Sequence, residues 1–250
     1  MRKPPQHCQP RVAGRVDRWQ TGLARLLWPS ICLLCRCRGA FGLDLCPACE
    51  ADLVPNSHAC STCAEPLPVA AEASVCGACL QHPPAFDSGY VPFRYAYPID
   101  HLVRGLKFRG DLACGRVLGE LFTARLRARA VPLPELIVPV PLARQRYRQR
   151  GFNQANELAL PLRRVTRIAV RNDLVIRHRE TAEQAALDLE SRRKNVRRAF
   201  TMAASLPARH VAILDDVVTT GSTVGEVARV LRSAGAERVE VWAICRTGRK

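Results

Sequence analysis

The chain has 250 residues, 48% hydrophobic and 6% aromatic, so we expect an aliphatic core. It contains no apolar run of the roughly 18 residues that a membrane-spanning helix needs, so we expect a soluble cytoplasmic protein. The formal net charge is +16, and residues 86–250 hold 30 basic and 16 acidic residues against 8 and 6 in residues 1–85. This excess fits either a phosphate-rich ligand, such as nucleic acid, or an arginine-rich solvated surface.

Residues 1–29 form a basic N-terminal segment whose apolar stripe of Val16, Trp19, Leu23 and Leu27 predicts a short helix. Residues 30–82 follow and contain nine of the twelve cysteines. Eight of these form four CxxC pairs: Cys32 and Cys35, Cys46 and Cys49, Cys60 and Cys63, Cys76 and Cys79.

A CxxC turn brings two thiolates to one tetrahedral Zn²⁺, and two such turns complete a four-sulfur site. Because this segment is too short for a large core, metal would supply much of its folding energy. The pattern therefore predicts a double zinc ribbon with two structural zinc ions. The spacing fits both a sequential pairing of the CxxC turns and a cross-braced one.

Two other interpretations compete with zinc. A disulfide framework requires an oxidising compartment, and a redox-active CxxC does not explain four tandem copies. Cys37 is a candidate substitute ligand, whereas Cys8, Cys114 and Cys245 stand alone and are expected to be buried apolar residues.

A larger domain is predicted over residues 83–250, behind the linker LQHPPAFD. The stretch SGYVPFRYAY predicts an irregular or edge strand, since Pro92 cannot donate to a ladder. PIDHLVRGLKF predicts a helix that starts at Pro98, and a second helix is expected over 112–130.

From residue 135 onward, short apolar strands alternate with amphipathic helices. ELIVPVP and DLVIRH predict strands, LARQRYRQRGFNQ predicts a loop before a helix, and VAIL, a helix over 222–234 and VEVWAI predict a βαβ unit. This alternation predicts an α/β fold with a mostly parallel sheet covered by helices. Ligands of such sheets bind where the strands end, which is where the loops after residues 141 and 214 would emerge.

The stretch VAILDDVVTTGSTV, residues 211–224, combines two ligand preferences. Hydroxyl and N–H groups at the start of a helix suit a phosphate, and Gly221 permits either positive φ or close backbone approach. Asp215 and Asp216 suit ribose hydroxyls or a metal ion. A phosphorylated sugar with free hydroxyls would use both halves, whereas a P-loop is excluded because GxxxxGK[ST] is absent.

This stretch closely resembles the phosphoribosyl pyrophosphate (PRPP) motif of type I phosphoribosyltransferases. LKFRG at 106–110, LIVPVPLARQRYRQRGFNQA and TAEQAALDLESRRKNVRRAF, all behind four CxxC pairs, extend the likeness, so the chain resembles the ComF/GntX family from about residue 28 onward. The resemblance implies a type I phosphoribosyltransferase fold preceded by a double zinc ribbon. It also implies Mg²⁺ bound together with PRPP, and a part in DNA uptake during natural competence.

The resemblance also implies roles for individual residues. Asp215 and Asp216, the catalytic pair, would hold the ribose 2′- and 3′-hydroxyls. The 5′-phosphate would lie against Val218, Thr219, Thr220, Gly221, Ser222 and Thr223. The pyrophosphate would lie against Val140 and Pro141, with positive charge from Arg144, Arg148 and Arg150. The two family signatures are matched by Gly151, Phe152, Asn153 and Gln154, and by Gln184, Arg192 and Asn195.

Three functions fit these features. The first is a phosphoribosyltransferase that acts on PRPP and an unidentified nitrogen acceptor. The second is a competence-type protein that handles single-stranded DNA, with Tyr147 and Phe152 stacking on bases beside Arg148 and Arg150. The third is a regulator that binds PRPP without turnover. Zinc ribbons are often interaction platforms, so protein partners from a DNA-uptake machinery fit the last two. We favour a competence-type protein with a PRPP site and leave turnover open.

Overall fold

The computed structural model describes residues 30–40, 42–68, 74–179 and 196–248. The helix expected within residues 1–29, Cys8 and the second signature with Gln184, Arg192 and Asn195 lie outside these ranges. The chain divides into two compact units, Met1–Leu53 and Val54–Lys250. None of the described helices has the length and apolar character needed to cross a membrane.

The first unit is organised around its cysteines. Short antiparallel bridges join Ile31 to Arg38 and Ala40 to Leu43, and helix α1 (Pro47–Ala51) follows. Pro47 begins α1, where its missing N–H costs nothing, and the Cys46 sulfur accepts the N–H of Cys49. Among the described residues of this unit, the buried side chains are mainly cysteines, with few aliphatic partners: Cys32, Leu45, Cys46, Cys49 and Leu53.

The second unit begins with the other two CxxC turns and helix α2 (Gly77–Gln81). Cys60, Cys63 and Cys79 are buried in the same apolar cluster as Phe86 and Val241, so this ribbon shares a core with the sheet that follows. The two ribbons therefore fall in different compact units. The domain bounds expected from sequence, 30–82 and 83–250, stay a prediction.

A parallel sheet lies at the centre of the second unit, as predicted. Its strands are β1 (Ser88–Tyr90), β2 (Phe93–Arg94), β3 (Leu136–Pro139), β4 (Ala169–Val170), β7 (His210–Val218) and β8 (Arg238–Arg246). The order is β1-β8-β7-β3-β4, with β2 also beside β8, and every pair is parallel. The remaining strands, β5 (Val175–Arg177) and β6 (Phe200–Met202), form a separate antiparallel pair. DLVIRH is thus a strand, but outside the parallel sheet.

Five further helices lie in the described part of this unit, and four of them lie close to their predicted positions. The five are α3 (Ile99–Arg109), α4 (Leu112–Arg127), α5 (Arg144–Arg150), α6 (Gln154–Thr166) and α7 (Ser222–Ser233). The exception is α5, since the sequence there predicted a loop. Arg and Gln are good helix formers, and Gly151, at φ 77°, ends the helix in a left-handed conformation.

Strand β7 is longer than the predicted VAIL and contains both acidic residues. Strand β8 pairs with β7 as far as Val218, whereas β3 stops at Pro139, opposite Leu214. The last four residues of β7, 215–218, therefore extend beyond β3. This extension exposes one edge of the strand at the carboxyl end of the sheet, where ligands of such folds bind.

Candidate functional site

The eight CxxC cysteines form two separate four-sulfur groups. Within each group, all Sγ atoms lie within 4.8 Å of one another. The grouping is sequential rather than cross-braced: Cys32, Cys35, Cys46 and Cys49 in one, Cys60, Cys63, Cys76 and Cys79 in the other. Cys37 belongs to neither group, and Cys114 and Cys245 are buried, as expected.

Both groups fit a tetrahedral zinc ion. Four sulfurs at about 2.3 Å from Zn²⁺ lie about 3.8 Å apart. The Cys35–Cys46 and Cys63–Cys76 sulfur pairs are separated by 3.5 and 3.7 Å. Backbone N–H groups also point at the sulfurs, since Cys76 donates to Cys60 at 3.2 Å. The two sites are consistent with two structural zinc ions.

A cavity of about 560 Å³ opens at the carboxyl ends of β3 and β7. Most of the residues implicated by sequence line it: Val140, Pro141, Arg150, Asp215, Asp216 and the segment 218–223. The two remaining ones, Arg144 and Arg148, are exposed on α5 and are not among its lining residues.

The loop between β7 and α7 presents hydroxyl groups and backbone N–H groups to this cavity. Gly221 has φ 80°, a left-handed conformation that favours glycine, and no atom lies within 4 Å of a Cβ built there. The hydroxyls of Thr220 and Ser222 are 2.7 Å apart, and the Ser222 N–H donates to Thr220 Oγ1 at 3.2 Å. Because α7 is twelve residues long, its N-terminal amides add a favourable field for a phosphate.

Two adjacent carboxylates, the half-buried Asp215 and the buried Asp216, face the same cavity. Burial, followed by the charge of Asp216, raises the pKa of Asp215 to about 7, although Lys107 opposes this shift. Asp216 forms an ion pair with Lys107, whose Nζ lies 3.0 Å from Oδ2. The Asp216 N–H donates to Asp215 Oδ1 at 2.9 Å, which holds the first carboxylate in place. Both groups can therefore present oxygen acceptors to a polyhydroxyl ligand.

Helix α5 divides its arginines between two faces. Arg146 and Arg150, one helical turn apart, are half-buried and line the cavity. Arg144 and Arg148, also one turn apart, are exposed to solvent together with Tyr147. Arg146 was not predicted as a site residue, because this stretch was expected to be a loop. In a helix, residues four apart share a face, so a predicted helix would have grouped Arg146 with Arg150 and Arg144 with Arg148.

The GFNQ signature has a structural role. Asn153 caps α6 by accepting the Ala155 N–H at 3.0 Å, and its Nδ2 donates to the Val140 carbonyl at 2.9 Å. One side chain thus starts the helix and fixes the segment after β3, which carries Val140 and Pro141 into the cavity wall. Gln154, almost fully buried, also lines the cavity.

Four further polar lining residues were not predicted from the motifs: Tyr95, Lys107, Arg177 and Thr247. They come from four different parts of the chain, so no local spacing connects them with the acidic pair. LKFRG was noted as a family pattern only, although it contains Lys107.

Comparison with family models gives two matches in different parts of the chain. A model described as a double zinc ribbon domain matches residues 23–80. A model described as a phosphoribosyl transferase domain matches residues 150–250. Together with the parallel sheet, this match identifies the type I phosphoribosyltransferase fold.

Several curated proteins are similar to this chain along most of its length. The DNA utilization protein YhgH of Escherichia coli K12 is 38% identical over 225 residues, which cover 88% of this chain and 98% of that protein. Competence protein F of Haemophilus influenzae is 34% identical over 220 residues, covering 84% and 95%. Competence protein ComFC of Streptococcus pneumoniae is 24% identical over 156 residues, covering 62% and 66%.

Proposed function

Because the chain belongs to the ComF family, which combines a double zinc ribbon with a phosphoribosyltransferase domain, we propose that it is a competence-type protein that binds PRPP with Mg²⁺ in the cavity beside Asp215 and Asp216. One observation carries the proposal. The acidic pair and the hydroxyl-rich loop 219–223 open onto the same cavity, which matches a sugar that has a phosphate at one end and hydroxyls at the other.

Each half of the cavity takes one part of the ligand. Asp215 and Asp216 accept hydrogen bonds from the ribose 2′- and 3′-hydroxyls, and segment 218–223 holds the 5′-phosphate at the start of α7. The pyrophosphate lies against Val140 and Pro141, with Arg150 contributing positive charge. Mg²⁺, when bound with the ligand, neutralises the pyrophosphate.

Catalytic turnover is the alternative function for this same cavity. Cleavage of the C1–pyrophosphate bond builds positive charge on the ribose and negative charge on the leaving group. The carboxylates near the ribose stabilise the positive charge, and the arginines near the pyrophosphate stabilise the negative charge. A nitrogen nucleophile then takes C1. The base that would supply it is not identified by any residue pattern of the cavity.

Single-stranded DNA is the proposed second ligand, on a different surface. Residues 86–250 carry 30 basic and 16 acidic residues, and Tyr147 is exposed on α5 together with Arg144 and Arg148. An exposed aromatic ring on the same helix as exposed arginines suits stacked bases and their phosphates. The names of the relatives, DNA utilization protein and competence protein, support this ligand. The zinc ribbons are the proposed contact surface for protein partners of DNA uptake.

Calorimetric titration with PRPP and Mg²⁺ tests the central proposal. We expect binding by the unaltered protein and loss of binding when Asp215→Asn and Asp216→Asn are combined. Asp173→Asn is the matched control, because Asp173 is an exposed aspartate paired with Arg171 outside the cavity. Thermal unfolding checks that the variants fold. Unchanged PRPP affinity in the folded double variant would show that the acids do not hold the ribose.

A further inference from the structure

Lys107 brings a positive charge directly to the acidic pair. Its Nζ lies 3.0 Å from Asp216 Oδ2, and the two side chains are 25% and 8% exposed. Burial lowers the pKa of Lys107, but Asp216 and Asp215 raise it by more, so the ammonium stays charged. The cavity therefore contains a fixed cation next to its carboxylates before any ligand enters.

The position of Lys107 is set by rigid packing. Helix α3 buries Leu102, Val103 and Leu106 completely, which fixes the helix face on which Lys107 lies. Directly after α3, Gly110 is left-handed at φ 66°, and its N–H donates to the Gly105 carbonyl. The turn that carries Lys107 is thus closed by its own cap and does not depend on a ligand.

Two adjacent carboxylates repel each other in a buried site, and proteins often relieve this repulsion with a divalent cation. We propose that Lys107 is a positioning residue that replaces such a cation: it is the built-in counter-ion that holds Asp215 and Asp216 as acceptors for ribose hydroxyls. This inference rests on the proposed function, since it concerns how the same cavity holds the ribose. It restricts the role of Mg²⁺ to the pyrophosphate.

The inference separates two ligands that differ only in the pyrophosphate. Ribose 5-phosphate has the hydroxyls and the 5′-phosphate, so its binding should not depend on a divalent cation. PRPP carries the additional pyrophosphate, so its binding should strengthen when Mg²⁺ is added. Calorimetry with each ligand, in buffer cleared of divalent cations on a chelating resin and then with Mg²⁺ restored, measures both. The zinc content of the protein is determined before and after the resin step.

Three variants accompany the titrations. Lys107→Met should weaken ribose 5-phosphate binding by more than about tenfold, because it leaves the acids without their counter-ion. Lys107→Arg keeps the charge and should recover most of the affinity. Arg104→Met removes an exposed charge one turn earlier on α3 and should have no effect.

Different results overturn different claims. If ribose 5-phosphate binds only when Mg²⁺ is present, or if Lys107→Met binds it as well as the unaltered protein, the role of Lys107 is refuted and the PRPP cavity stands. If neither ribose 5-phosphate nor PRPP binds under any condition, the proposed function itself fails. The cation dependence of the unaltered protein decides the question even if Lys107→Met does not fold.

Discussion

Arg246 at the end of β8 forms a buried ion pair with Glu65, two residues after Cys63. Its Nε and Nη2 lie 2.9 and 2.8 Å from Glu65 Oε2, and the residues are 1% and 6% exposed. Arg246 is also the strand partner of Val218, the last residue before the loop 219–221. A single charge pair thus connects the second four-cysteine site to the base of the proposed phosphate loop.

Removing Glu65 should strongly destabilise the protein. Glu65→Ala leaves the Arg246 guanidinium buried without its carboxylate, which typically costs about 3–5 kcal/mol. The free energy of unfolding in urea, measured with zinc present, gives the loss. The control is Glu120→Ala, which breaks the exposed pair with Arg164 and should cost no more than about 1 kcal/mol. Equal losses in the two variants would contradict a structural role for the buried pair.

Metal content is a direct test of the four-cysteine sites. Elemental analysis of the purified protein should give about two zinc ions per chain, and Cys63→Ser should reduce this to about one. Cys114→Ser is the control, because Cys114 is buried away from both groups and should leave the count unchanged. Metal-free protein with eight titratable, reduced thiols would refute structural zinc.

Ligand affinity should depend on pH through Asp215. Burial and the neighbouring Asp216 raise its pKa to about 7, so below that pH it carries a proton and accepts hydrogen bonds poorly. Ribose 5-phosphate should therefore bind more tightly as the pH rises from about 6 to about 8.

Ethyl phosphate is the control for this titration, because it is a phosphate monoester with the same phosphate ionisation but has no hydroxyls to contact Asp215. Its affinity for the protein should change less over the same range. Identical pH profiles for the two ligands would show that Asp215 does not contact the sugar.

The two faces of α5 should separate two activities. Arg146→Ala with Arg150→Ala removes charge from the cavity and should weaken PRPP–Mg²⁺ binding by more than about tenfold. Arg144→Ala with Arg148→Ala removes exposed charge and should leave PRPP binding within about threefold. It should instead make the slope of log affinity for single-stranded DNA against log salt concentration shallower, by the amount that about two phosphate contacts contribute. DNA binding that is absent at low salt, or independent of salt, would remove the nucleic-acid function.

Local patterns predicted the parts of the site that are continuous in sequence. The CxxC turns predicted the four-cysteine groups, and the acids followed by TTGST predicted a strand, a loop and a helix in that order. The pairing of the CxxC turns depended on chain folding between them, so spacing left it open.

Contacts between distant segments were beyond such patterns. Lys107 meets Asp216 because α3 packs near the end of β7, and nothing local to either residue encodes that contact. The length of β7 was underestimated for a similar reason: its last residues are strand because β8 continues beside them. Arg146 differs, since recognising α5 as a helix would have placed it beside Arg150.

The most direct test of the central claim is a crystal structure of the protein grown with PRPP and Mg²⁺. The account predicts density for the 5′-phosphate at the amides of residues 219–223, with the ribose 2′- and 3′-hydroxyls within hydrogen-bond distance of Asp215 and Asp216. A ligand bound elsewhere, or an empty cavity at saturating PRPP, would contradict it.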